Sequence, residues 1–118
     1  MEIIRIIISN NINVEFKINF MPDQIDYVDF TKKIVLRHLP KNEFKVFLFG
    51  SRAVGNAKLK SDIDIGIWGK QALSLKIKIA IEEDIEESIV PYKVDIVDFW
   101  IVDETFKKYA LQKTIPWT

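Results

Sequence analysis

Cysteine is absent from the 118 residues and histidine occurs once, as His38. The first absence excludes disulfides, thiolate zinc sites and cysteine nucleophiles, and leaves the redox compartment open. Neither charge sign dominates: Lys plus Arg and Asp plus Glu each number 17, so no net field draws the chain onto a nucleic-acid backbone or an anionic membrane. Nucleic acid is therefore not an expected partner. No uncharged apolar run approaches the roughly 20 residues needed to cross a bilayer, so no membrane partner is expected either. The start, Met1-Glu2-Ile3-Ile4-Arg5, leads into a short apolar run ending in Ser9-Asn10-Asn11 without a small-residue cleavage site. No signal peptide is expected, and the chain reads as cytoplasmic. A Walker phosphate loop is excluded too, because Gly50 to Ser61 contains no Gly-Lys-Ser or Gly-Lys-Thr.

What remains is a globular composition, 48% hydrophobic and 29% charged. The length suits one domain with one core and leaves no room for a separate substrate domain, so a large acceptor would be brought by a partner. Two β-rich runs, Ile3 to Ser9 and Val14 to Phe20, flank Asn10 and Asn11, with Asn13 close behind, and predict a hairpin. Met21-Pro22-Asp23 punctuates the chain. Ile25, Val28, Val35, Leu36 and Leu39 then recur at helical spacing until Pro40.

Phe44 to Phe49 is aromatic and apolar and ends at Gly50, as a strand buried on both faces would. Asp62 to Ile67 predicts a second strand, with Trp68-Gly69-Lys70 turning out of the sheet. A helix with a buried stripe of Leu73, Ile77, Ala80, Ile81 and Ile85 follows, and Glu82, Glu83, Asp84, Glu86 and Glu87 are expected on its wet face. Tyr92 to Phe99 predicts a third strand, and Asp103 an N-cap for a last helix carrying Phe106 and Ala110. Strands alternating with helices predict an α/β domain with its ligand site at the carboxyl ends of strands.

Chemistry is concentrated between Gly50 and Ile65. A Gly-Ser at the end of a buried strand permits a sharp bend, after which free amides and the Ser51 hydroxyl attract phosphate oxygens. Asp62-Ile63-Asp64 sends two carboxylates to one face and the isoleucines to the other. With α-carbons about 7 Å apart by strand rise, repulsion at an effective dielectric near 20 is on the order of 2–3 kcal/mol. A hard divalent cation would offset it. On the next strand, Asp95 shares the parity of the carboxylates, whereas Asp98 shares that of Val94 and Ile96 and enters only if the strand bulges. Arg52 is expected to serve structure rather than substrate, His38 to interact with helix-end carbonyls, and Trp68 and Trp100 to pack in the core.

Gly50-Ser51, Ser61-Asp62-Ile63-Asp64 and Val94-Asp95-Ile96-Val97 together resemble the minimal nucleotidyltransferases of the polymerase-beta-like superfamily, over Glu43 to the C-terminus. The resemblance implies an α/β (α+β) fold with a small mixed β-sheet flanked by helices. It implies Asp62, Asp64 and Asp95 as catalytic ligands of two Mg²⁺ ions, with Mn²⁺ as the alternative, and Gly50 and Ser51 as the nucleotide-phosphate seat. Residues 23–118 would form the nucleotidyltransferase domain and 1–22 an N-terminal β-hairpin extension, with Met21 as an alternative start. Relatives often carry a second arginine where this chain has Val54, and Lys58 and Lys60 are its candidate substitutes.

The implied reaction is in-line transfer of a nucleoside monophosphate, AMP from ATP, to an acceptor hydroxyl. Chains of this size resemble antitoxins that adenylylate a helical HEPN-domain toxin. An inactive module that neutralises a partner by binding, and a small-molecule (antibiotic) nucleotidyltransferase, stand as alternatives. A homodimer would cover an exposed sheet or helix face.

Overall fold

The computed structural model describes residues 2–8, 12–18, 25–58 and 60–118. β1 (Glu2–Ile8) and β2 (Ile12–Ile18) pair antiparallel, Glu2 opposite Ile18 and Ile8 opposite Ile12. Ser9, Asn10, Asn11, Phe20 and Met21-Pro22-Asp23, read from sequence as strand ends and turns, lie outside the described residues. Asn13, read as part of the first turn, sits within β2 opposite Ile7.

Helix α1 (Tyr27–Arg37) begins at Asp26, whose carboxylate accepts the Asp29 amide at 3.0 Å. That side-chain bond satisfies one of the amides that a helix start leaves without an internal partner. Helical spacing then buries Phe30, Ile34 and Val35. Strand β3 (Phe44–Phe49) runs into the single-turn helix α2 (Ser51–Val54), and β4 (Ile63–Gly69) runs antiparallel beside β3. Trp68 and Gly69, expected to leave the sheet, stay in β4 opposite Lys45 and Phe44. Leu73 is buried ahead of helix α3 (Leu75–Glu86) rather than inside it. Strand β5 (Val94–Asp98) lies parallel to β4, and helix α4 (Glu104–Ala110) starts at Asp103, whose carboxylate accepts the Phe106 amide at 2.7 Å. A short β6 (Ile115–Pro116), which no sequence pattern indicated, covers the other edge of β3. There the Trp117 amide donates to the Val46 carbonyl at 2.7 Å and the Val46 amide to Thr118 Oγ1 at 3.0 Å.

The sheet order is β5-β4-β3-β6, mixed as expected. Period-two alternation gives it two apolar faces. Ile63, Ile65 and Ile67 are fully buried on one, packed with Val46, Leu48 and Ile96 against Phe30, Ile34 and Val35 of α1 and Ile81 and Ile85 of α3. Burying each such isoleucine stabilises the fold by roughly 1.5–3 kcal/mol. The opposite face carries Phe47, Phe49 and Phe99 under Ala110 of α4. Gly66 makes that aromatic packing possible, since a Cβ there would lie 2.4 Å from the Phe47 ring.

Two sequence expectations fail in the α1–α3 layer. Asp84, read as part of the wet face, is 3% exposed and pairs with His38 Nε2. His38 therefore ties the end of α1 to α3 through its ring; only its backbone amide caps α1, donating to Val35 and Leu36 carbonyls. A carboxylate buried this deeply needs a hydrogen-bonding partner, and the imidazole supplies it. Trp100, expected in the core, is 52% exposed, whereas Trp68 is half-buried against the Phe99 cluster. Among the described residues, no helix is long and apolar enough to cross a membrane.

Candidate active site

The register sets the site. Asp64 on β4 lies opposite Asp95 on one side and Phe49 on the other, so all three share the α4 face of the sheet. Directly after Phe49 the chain bends at Gly50, with φ +72°, and enters α2 through Ser51. Only glycine suits the bend: besides the left-handed backbone, a Cβ on Gly50 would lie 2.3 Å from Asp64 Oδ2. Gly50, Ser51, Asp64 and Asp95 thus line one cleft of about 750 Å³. Asp62 precedes β4, is exposed and does not line the cleft, although its charge reaches Asp64.

The cleft sits at the carboxyl end of β3 but at the amino ends of β4 and β5. The expectation of strand carboxyl ends fails because β3 is antiparallel to β4, which brings the Gly-Ser bend to the end where β4 and β5 begin.

Partial burial, then repulsion from Asp95 and from Asp62, and a hydrogen bond with Asp95 raise the Asp64 carboxyl above its ordinary value; Lys93 partly opposes this. Lys93 Nζ is 3.7 Å from Asp95 Oδ1, a solvent-exposed pair of small energetic weight. Asp98 lies elsewhere. It is 6% exposed on the isoleucine face and accepts the Leu73 amide at 2.8 Å and the Trp100 amide at 2.9 Å. Its parity and those bonds fit a structural cap.

Arg52 braces the loop into Asp62, its Nε and Nη2 donating to the Ser61 carbonyl at 3.1 and 2.7 Å and its guanidinium lying 4.9 Å from the Tyr92 ring centre. The Lys58 amide donates to Ser61 Oγ at 2.8 Å in the same loop. Lys58 and Lys60 are exposed and do not line the cleft; among the described residues Lys113 is the only basic one that does. Sequence reasoning passed over Lys113, Phe106 and Tyr109 as site residues because nothing near them in the chain marks them. Only the packing of α4 over the sheet brings them to the cleft.

Among the described residues, no three His, Cys, Asp or Glu side chains form a ready-made metal cage. The donor chemistry nonetheless suits a hard divalent ion of the Mg²⁺ type, which takes one or two carboxylates and completes its shell with water and substrate phosphate. Asp64 and Asp95 are two such oxygen donors that repel each other.

A family model described as Polymerase beta, Nucleotidyltransferase matches residues 32–116. The chain belongs to that family. A curated member of similar sequence is the "Probable protein adenylyltransferase MntA" of Haemophilus influenzae, 33% identical over 76 residues that cover 64% of this chain and 66% of the relative. The chain thus spans just under two thirds of that relative's length. Similar solved structures include a toxin–antitoxin with AMP-PNP, at TM-score 0.63 and 21% identity, covering 77% of this chain and 72% of the other. Another is the tri-AMPylated Shewanella oneidensis HEPN toxin in complex with MNT antitoxin, at TM-score 0.55 and 16% identity, covering 77% and 71%. At those identities the structural likeness establishes the nucleotidyltransferase fold, with its mixed sheet and flanking helices.

Proposed function

We propose that the chain is a divalent-metal-dependent adenylyltransferase that moves AMP from ATP to a hydroxyl on a HEPN-domain partner, as the antitoxin of that pair. The observation that carries this reading is the register pairing of Asp64 with Asp95 beside the Gly50-Ser51 bend, in a member of this family. The partner class rests on the MntA relative and on the toxin complexes of similar fold. The nucleotidyltransferase unit is assigned to residues 23–118, with 1–22 as an N-terminal β-hairpin extension, working in the cytoplasm where ATP and Mg²⁺ are at hand.

In this reading Asp64 and Asp95, with the exposed Asp62 just before β4, are the carboxylates that would hold Mg²⁺ or Mn²⁺. When bound, two such ions would neutralise the triphosphate and stabilise the entering and departing oxygens. The Ser51 hydroxyl and the amides opening α2 seat the phosphates. Asp95, at the open side of the cleft, accepts the proton of the acceptor hydroxyl. That oxygen bonds to the α-phosphorus as the bond to the β-phosphate breaks and pyrophosphate leaves, an in-line displacement that depends mainly on positioning and charge.

Incubating the protein with α-labelled ATP, Mg²⁺ and the product of the neighbouring gene should label that product, and chelator should stop the labelling. If Asp62→Asn with Asp64→Asn neutralised the toxin as well as the parent does, the chain would instead be a binding module.

A further inference from the structure

The wall of the cleft opposite the carboxylates is aromatic. Phe106, Tyr109 and Ala110 recur at i, i+3 and i+4 on α4, so they share one helix face, and all three line the cleft that holds Gly50, Ser51, Asp64 and Asp95. Ala110 is buried, whereas Phe106 is 37% and Tyr109 74% exposed. The Phe106 ring is fixed from below, with centroids 6.0 Å from Phe49 and 5.9 Å from Phe99. Tyr109 has no comparable ring neighbour among the described residues and stands over the cleft. Val54 of α2, 58% exposed, lines the same space.

An apolar wall of this kind has no role toward phosphate or metal. A nucleotide whose phosphates rest at Ser51 and Asp64 must place its base within one nucleotide length, inside the same cleft. A volume of about 750 Å³ accommodates a ligand of that size. A flat heterocycle with a π-face fits an exposed tyrosine beside a fixed phenylalanine better than a polar or charged group does. We infer that the α4 face is the nucleobase seat, with Tyr109 stacking on the base of the bound nucleoside triphosphate and Phe106 as the fixed edge beside it. The inference rests on the nucleotidyltransferase reading and assigns the half of the substrate that the carboxylates do not touch.

Calorimetric titration in Mg²⁺ buffer, with ATP and with inorganic tripolyphosphate as a baseless probe, tests it. Because Tyr109 is exposed, Tyr109→Ala should fold and melt as the parent does. It should weaken ATP by about ten-fold, the fold-change of one lost base–aromatic stack, and leave tripolyphosphate affinity where it was. Tyr109→Phe, which keeps the ring, should restore ATP binding. Equal losses for both probes, or no loss for either, would overturn the assignment. So would intact ATP binding with impaired transfer to the partner, which would give the tyrosine to the acceptor. Failure of the parent protein to bind either probe would remove the nucleotidyltransferase reading itself, a result distinct from ATP binding that ignores Tyr109.

Discussion

Gly50 and Asp64 approach so closely that no side chain fits between them: a Cβ on Gly50 would lie 2.3 Å from Asp64 Oδ2. The bend into Ser51 and the carboxylate that lies opposite Asp95 therefore occupy one packed unit. Gly50→Ala must strain a backbone at φ +72° and also displace the Asp64 carboxylate from its place beside the bend. The expected cost is about 1–3 kcal/mol of stability from the left-handed backbone, with transfer activity lost beyond what the melting shift explains. Thermal melts and labelling assays on the same preparation separate the two effects.

Asp64 is held in a setting that favours its neutral form, through partial burial and then Asp95 and Asp62. Because the folded value is raised, the stability linked to Asp64 is present below the unfolded carboxylate value and is lost as pH climbs through the folded one. In chelator at neutral pH, Asp64→Asn should accordingly melt higher than the parent, by on the order of 0.5 kcal/mol after solvent screening. The gap should close as pH falls through the carboxylate range. Added Mg²⁺ should raise the melting temperature of the parent and not of the variant.

Asp95 and Asp98, three residues apart on β5, should fail in opposite ways. Asp95→Asn should keep the melting temperature and reduce kcat by about a hundred-fold or more, as loss of a charge-stabilising group does. Asp98→Ala leaves the Leu73 and Trp100 amides without their acceptor. It should cost about 2–3 kcal/mol, with transfer by the remaining folded protein nearly unchanged. Denaturant melts paired with steady-state rates decide between the roles.

How much of this was legible in the chain depends on range. The β3, β4 and β5 runs announce themselves through apolar and β-branched residues, and parity along 94–99 sufficed to separate Asp95 from Asp98. Gly50-Ser51 and Asp64 were readable as neighbours because the chain itself carries one toward the other. Asp84 was not. It sits in an acidic run with four glutamates, and its partner His38 is 46 residues away, a separation that no local pattern spans. β6 escaped because two residues, one of them Pro116, carry no periodicity. The wall of the cleft escaped because Phe106 and Tyr109 read as ordinary helix-face aromatics until α4 is laid over the sheet.

The His38–Asp84 pair should behave as a coupled unit. His38→Leu leaves a buried carboxylate without its partner and should cost about 3–5 kcal/mol. The joint variant His38→Leu with Asp84→Leu should recover part of that loss, with a coupling of about 1–3 kcal/mol in a double-mutant cycle. Urea melts of the parent, both single variants and the joint variant provide the measurement.

Lys113 should do what Lys58 and Lys60 were expected to do. As the only basic residue lining the cleft among the described residues, it borders the space a triphosphate would fill. Lys113→Gln should raise the KM for ATP about five-fold, equivalent to roughly 1 kcal/mol. Lys58→Gln and Lys60→Gln should leave it within error in the same assay.

The stitch at residues 115–118 has a consequence for handling the protein. Ile115 and Pro116 lie along β3, and the next two residues engage both backbone groups of Val46. Were that ribbon cut away, β3 would present bare amides and carbonyls flanked by phenylalanines, a template on which further copies could stack strand to strand. A shortened version should therefore clump in concentrated solution even where its carboxylates remain in place.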